Sequence, residues 1–468
     1  MSTLTTFSAK QLLALIQSKQ VSCEEVMQAH LTRIEQVNPL LNAIVQQLPP
    51  EEALREARNA DVAIAHHEKM GLLHGLPVTV KDSYKAKGFM GSRGNKSFLN
   101  SVAEEDSTLI ARLRAAGAII LAVTNVPAFL MSFETDNLLY GRTNNPYDVT
   151  RTSGGSSGGQ AAIIAAGGSP LGLGADAAGS IRQPAHYCGI TGIKPTRNLL
   201  PHTGAHPVDG LGVFSYVVAQ GPMARFIDDL IMVLPILAGP DEYDADVPPV
   251  LLRDPAQVNL RSLRVAFHSD NQVVTPTDDI INTIKNVSTA LSSQVASIQE
   301  DCPAVIKETH QLFEELFFYG GDRGQWLVEM MESFKVEKPG RTFQELLNRA
   351  KQCEFSVTEM RNRLFLLDQF KIAMMNFMRN YDVIICPVTS TPAKHHETVF
   401  TFKEGLDLSY NLPYNVAGWP AVTVRCGTSK EGLPIGVQII AKPWRDDVAL
   451  AVAKRLEEIF GGWQQPTL

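Results

Sequence analysis

Short, almost uninterrupted apolar runs separated by stretches of helical period set the strongest limit on what this chain can fold into. LPVTVKD (76–82), AIILAVTN (118–125), LRVAFH (263–268), DVIICPV (382–388), AVTVRC (421–426) and IGVQIIA (435–441) each read as a strand. Strands that are apolar at nearly every position suit a sheet covered on both faces. Between them lie helical segments. Leu12, Leu13, Leu15 and Ile16 mark a first helix, and Ser22 with Glu25 forms a capping box for a second that Asn38-Pro39 should stop. Segments 106–116 and 446–460 read as further helices. This alternation predicts an α/β fold, a large mixed and mostly parallel β-sheet flanked by helices.

The 468 residues are read as one domain, 1–468, with N-terminal helices over about 1–65 and a mainly helical insertion over about 276–380. The insertion is rich in large apolar side chains, among them Phe313, Phe317, Phe318, Trp326, Met330, Met374 and Phe377. Such stripes are first of all core. The charge balance, 42 − 49 = −7, argues against a nucleic-acid partner, whose binding rests on Lys and Arg at phosphates. No apolar run reaches the length of a membrane span. No charged leader followed by an apolar core opens the chain. Six scattered cysteines without a C-x-x-C pair fit reduced thiols, and the expected location is cytoplasmic. The oligomeric state is left open, a homodimer included.

From 144 to 192 the chain turns rich in Gly, Ser and Ala. GQAAIIAAGG (159–168) reads as a small-residue helix and SPLGLG (169–174) as a strand. At the centre is TSGGSSGGQ (152–160). A phosphate-cradling loop would need a Lys after the second Gly, and none is there. The segment formally matches G-x-S-x-G, yet the polar NNPYDVTRT before it is no strand, so the nucleophile-elbow reading is weak. Taken alone, Gly and Ser in this density would read as a flexible linker.

The loop does not stand alone. HGLPVTVKD (74–82) puts Lys81 at a strand end, and GADAAGSIRQPAHYCGITGIKPT (174–196) follows the serines. Together they resemble the amidase signature family, whose pattern is a Lys after G-[IL]-P-x-x-[VI], then GGSSGG, then D-x-x-G-S-[IV]-R-x-P. The two serines, Ser156 and Ser180, stand 180 − 156 = 24 residues apart, as in that family. The likeness continues through TNVP, YGRTNNPYD, GPMAR, NVAGWPAVTV and LPIGVQIIA, covering most of the chain outside the insertion.

The resemblance implies hydrolysis of a small-molecule carboxamide, with no cofactor and no metal. Ser180 would attack, Ser156 would bridge the proton, and Lys81 would be the base. A lysine base must be neutral, and lowering its pKa by about 3 units costs roughly 4 kcal/mol, which burial can supply. The resemblance also implies a cis peptide at Gly155–Ser156, an oxyanion hole from the N–H groups of Ala177, Ala178, Gly179 and Ser180, and a supporting hydroxyl at Ser157. Asp176 and Arg182 would hold the nucleophile loop as an ion pair. FLMSF (129–133), with Leu130 and Met131, is expected to line the site and to favour an apolar acyl or aryl substrate.

Two positions depart from the pattern. Ala175 removes a hydroxyl usual in the Lys network, and Ala178 replaces a Gly in the oxyanion loop. The alternative within the family is the A subunit of glutamyl-tRNA amidotransferase. There an Asp ten residues before the Gly of N-x-A-G binds the glutamine amine, and counting back from Gly418 gives Leu408, with Asp407 one position off. A metal hydrolase is the reading from another class. His66-His67-Glu68 and His395-His396-Glu397 lack H-E-x-x-H spacing and read as solvated residues.

Overall fold

The computed structural model describes residues 3–99, 102–206, 212–336, 338–398 and 404–468. Eleven strands form one sheet: β1 (Ile44–Gln47), β2 (Pro77–Lys81), β3 (Ile119–Thr124), β4 (Leu171–Asp176), β5 (Thr191–Lys194), β6 (Ala219–Ala224), β7 (Arg264–Phe267), β8 (Ser297–Glu300), β9 (Val383–Pro387), β10 (Ala421–Thr428) and β11 (Pro434–Ala441). Their order is β1-β3-β2-β4-β6-β5-β10-β11-β9-β7-β8. Every residue of β2, β3, β9 and β11 is buried, as the continuous apolar runs require. Helix Gly158–Ala165 packs on β2 and β4, and helix Asp446–Phe460 on β10 and β11.

The sheet is mixed but not mostly parallel. Among the described residues, six pairings are antiparallel and four parallel. One antiparallel pair is set by its connection. Only residues 429–433 join β10 to β11, which leaves no length for the crossover that a parallel pair needs. Helix Cys23–Leu41 also runs past Pro39, to Asn42 in the left-handed conformation. A proline in the last turn costs a single ladder bond there, so it does not end the helix.

The topology brings the serine-rich stretch to the lysine. β2 and β4 are parallel neighbours, with Thr79 opposite Gly172 and Val80 opposite Leu173. Lys81 and Asp176 therefore leave the sheet at the same edge, the carboxyl ends of parallel strands, where open α/β sheets gather their chemistry. Residues 152–166 are all buried, so the segment is no linker. A Cβ on Gly159 would lie 2.6 Å from the backbone of Asn125. Glycine is required because two main chains meet there.

Candidate active site

Lys81 is 1% exposed and its Nζ donates to Ser156 Oγ at 2.8 Å. A second, longer bond runs from Nζ to the Ala175 carbonyl at 3.3 Å. The Ser157 hydroxyl donates to the same carbonyl at 3.4 Å. Where Ala175 lacks a side-chain hydroxyl, its main-chain oxygen thus takes up that corner of the network. Burial lowers the Lys81 pKa to about 7, against a smaller upward pull from Asp176. The peptide bond Gly155–Ser156 is cis.

Ser180 sits at the start of helix Arg182–Tyr187 and is 7% exposed. Its carbonyl accepts from the Ser157 N–H at 3.2 Å, which ties the two serine loops together. Of the four expected oxyanion donors, the N–H groups of Ala177, Ala178 and Ser180 have no partner among the described residues. Gly179 does not fit the expectation. Its N–H donates to Asp176 Oδ1 at 2.7 Å and is already taken. The glycine serves conformation instead, with φ at +112° and Asn411 where a Cβ would go.

Asp176 and Arg182 are both fully buried and form a two-pronged pair, Nε to Oδ2 and Nη2 to Oδ1, each at 3.0 Å. Burial alone would raise the Asp176 carboxyl. The Arg182 charge and bonds from Arg182 and Asn415 outweigh it and hold the group well below the usual carboxylate range. The carboxylate also accepts from the N–H groups of Gly179 and Ile181, so it shapes the whole turn around Ser180. Asn415 donates to Asp176 Oδ1 at 2.9 Å, and Arg182 reaches Gln438 Oε1 at 3.1 Å. Sequence reasoning missed Asn415 and Gln438 as partners, because nothing local marks a neutral amide over 230 residues away as a ligand of this pair. Removing one partner from a buried ion pair costs about 3–5 kcal/mol. Asp176→Asn should lower unfolding free energy by that much, read from denaturant midpoints at pH 7; a loss below ~1 kcal/mol would contradict the assignment.

Leu130, Met131, Ser132, Phe133, Ala177, Ala178 and Ser180 line a cavity of about 50 Å³, with Phe214, Phe318 and Thr342 opposite. Phe129 and Leu130 both have positive φ, +56° and +64°. A non-glycine pair in that region is held there only by its surroundings, here Phe129 wedged against Phe98 and Phe343. Of the aromatic side chains expected in the insertion, Phe318 reaches the cavity from the π-helical turn Glu314–Tyr319. Phe313, Phe317 and Met374 are core, while Trp326 is 48% exposed.

The second histidine–glutamate group is engaged with other partners. His396 Nε2 meets the Val149 carbonyl at 3.1 Å, and Glu397 pairs with Arg142 at 2.7 Å. Among the described residues, no group of three or more His, Cys, Asp or Glu could hold a metal ion. Nor is any helix there long and apolar enough to cross a membrane.

The family model described as Amidase matches residues 25–450. The chain belongs to the amidase family. This amidase is 30% identical to human fatty-acid amide hydrolase 2, over 98% of its own length and 90% of that protein's. It is 30% identical to an acylamidase of Rhodococcus erythropolis, covering 97% and 95% of the two chains. Among solved structures it resembles 6-aminohexanoate cyclic dimer hydrolase, with a TM-score of 0.86, 26% identity and coverage of 98% and 97%. As a family member, the amidase is a hydrolase acting on carbon–nitrogen bonds. Its relatives differ in the amides their names specify.

Proposed function

We propose that this amidase cleaves a carboxamide in two steps through an acyl-enzyme on Ser180. Lys81, neutral, takes a proton from Ser156 as Ser156 takes one from Ser180, and Ser180 Oγ attacks the carbonyl carbon. The C–N bond then breaks, and the relay returns a proton to the departing ammonia or amine. Water, activated along the same path, releases the carboxylate. The buried 2.8 Å contact between Lys81 Nζ and Ser156 Oγ carries this reading. The depressed pKa of Lys81 supports it, since a base working near neutrality needs a pKa close to the operating pH. The free N–H groups of Ala177, Ala178 and Ser180 are suited to a developing oxyanion.

The substrate we propose is a small or apolar acyl or aryl amide. The cavity at Ser180 is walled by Leu130, Met131, Phe133, Phe214 and Phe318. Met131, Ser132 and Thr342 also border an adjoining cavity of about 480 Å³, within the usual range for ligand pockets. Glutamine is a poor fit. Leu408 is buried core, and the neighbouring Asp407 carboxylate is taken by Lys394 Nζ and Ser390 Oγ. An amine would have to displace an ion pair already made within the chain. Steady-state assays should give kcat/KM for hexanamide or benzamide at least ~100-fold above that for glutamine. Efficient glutamine hydrolysis would reverse the substrate assignment and favour the amidotransferase reading.

A further inference from the structure

Gln183 fills the variable position of the G-S-[IV]-R-x-P segment, and the proposed chemistry gives it no part. It is fully buried. Its Oε1 accepts from the Gly155 N–H at 3.0 Å. The acceptor must be the amide oxygen, because the partner is a donor. Its own N–H donates to the Gly179 carbonyl at 2.7 Å. One residue therefore touches the backbone immediately before Ser156 and the backbone immediately before Ser180. A Cβ on Gly154 would lie 3.2 Å from the same Oε1, so the loop is packed closely on this side chain. On its far side Gln183 faces the buried Tyr187 phenol, which also meets the hydroxyls of Thr389 and Thr391. The Gly155 N–H is the contact by which the Gln183 side chain holds the serine loop.

We infer that Gln183 is a positioning residue that sets Ser156 against Lys81 and Ser180 by clamping the Gly155 N–H. The inference rests on the reading of Ser156 as relay and Ser180 as nucleophile. Ser156 Oγ lies at bond distance from Lys81 Nζ and must also reach Ser180 during the relay, and a displacement of about 1 Å in such an arrangement can cost ~100-fold in rate. Loss of the acceptor frees Gly155 to turn towards another partner, and Ser156 follows because it is the next residue. A loosened loop also admits water to Lys81. Its low pKa comes from burial, so wetting moves it upward, towards the ordinary lysine value.

The test uses the full chain with three substitutions. Gln183→Met keeps length but has no acceptor, Gln183→Asn is one methylene too short, and Gln183→Glu keeps an acceptor. Two readouts are taken, hexanamide hydrolysis across pH and the rate of inactivation by a fluorophosphonate. The Met and Asn variants should lose 10- to 100-fold in kcat with KM within about threefold. Their inactivation rates should fall in parallel, and the ionisation limiting kcat/KM should move alkaline by half a unit or more. Gln183→Glu should recover at least tenfold of the loss. A folded Met or Asn variant with kcat within threefold of wild type would overturn the inference, as would a loss carried by KM, or a Glu variant no better than Met. If wild type leaves hexanamide intact, the inactivation rates still decide on Gln183. If Ser180→Ala is inactivated as fast as wild type, the underlying mechanism has failed instead.

Discussion

Ser180→Ala is expected to lower amide turnover by ~10⁴-fold or more and to abolish covalent labelling by a fluorophosphonate, with the fold intact. The magnitude follows from what is removed. Losing a nucleophile that acts as one unit with its base costs about as much as losing the whole set, typically 10⁴–10⁶. The fold should survive because only one oxygen goes. Ser180 is held mainly through its backbone, by the bond from the Ser157 N–H to its carbonyl and by the Asp176–Arg182 frame around it. The expected change in unfolding free energy is within about 0.5 kcal/mol. Intact-mass measurement after inhibitor treatment checks the outcome. Stoichiometric labelling of the alanine variant would move the nucleophile elsewhere, with Ser156 the first candidate.

Lys81→Ala should lose ~10³–10⁴-fold in kcat/KM, and Lys81→Arg should not restore it. General-base catalysis contributes 10²–10⁴, and the Lys also holds Ser156 through the 2.8 Å bond. The arginine substitution separates the two roles. A guanidinium can donate to Ser156 and keep a positive charge near Asp176, but it cannot give up its proton. An arginine variant with most of the wild-type activity would make Lys81 an electrostatic support and remove the relay.

The fold was legible where apolar runs are continuous. Strands β2, β3, β9 and β11 fall within a residue or two of the segments that their Val and Ile content marks. Four strands were missed, β1, β5, β6 and β8. β5 is TGIK and β6 is AQGPMA, short and carrying Gly or Pro, so neither has a run to detect. They are strands because neighbours on both sides supply the hydrogen bonds, a tertiary cause that no local pattern records. The parallel bias in the expectation arose the same way, since alternation of strand and helix does not record the direction in which distant strands pair.

The candidate site was more legible than the sheet. Lys81, Ser156, Ser157 and the Asp176–Arg182 pair were all singled out through the family resemblance that the motifs carry, and the fold brings them to one place. The oxyanion loop was read less well. The family resemblance put the Gly179 N–H among the oxyanion donors, but the Asp176 carboxylate turns back on its own chain and captures it. The remaining contacts come from the side-chain amides of Asn415 and Gln438 and the main-chain carbonyl of Asn411, on distant segments whose role depends on tertiary packing alone.

The central claim is that Lys81 acts as a neutral base, and the pH dependence of hexanamide kcat/KM tests it most directly. Folding lowers the lysine pKa from 10.5 to about 7. The active, unprotonated form therefore grows as pH rises through 7, and below it the rate should fall tenfold per unit. The account predicts one ascending limb with its midpoint near 7, reaching a plateau by about pH 8 to 9. In Lys81→Ala the residual rate should lack that limb. A wild-type profile flat from pH 5 to 9, or an ascending limb that persists unchanged in Lys81→Ala, would contradict it.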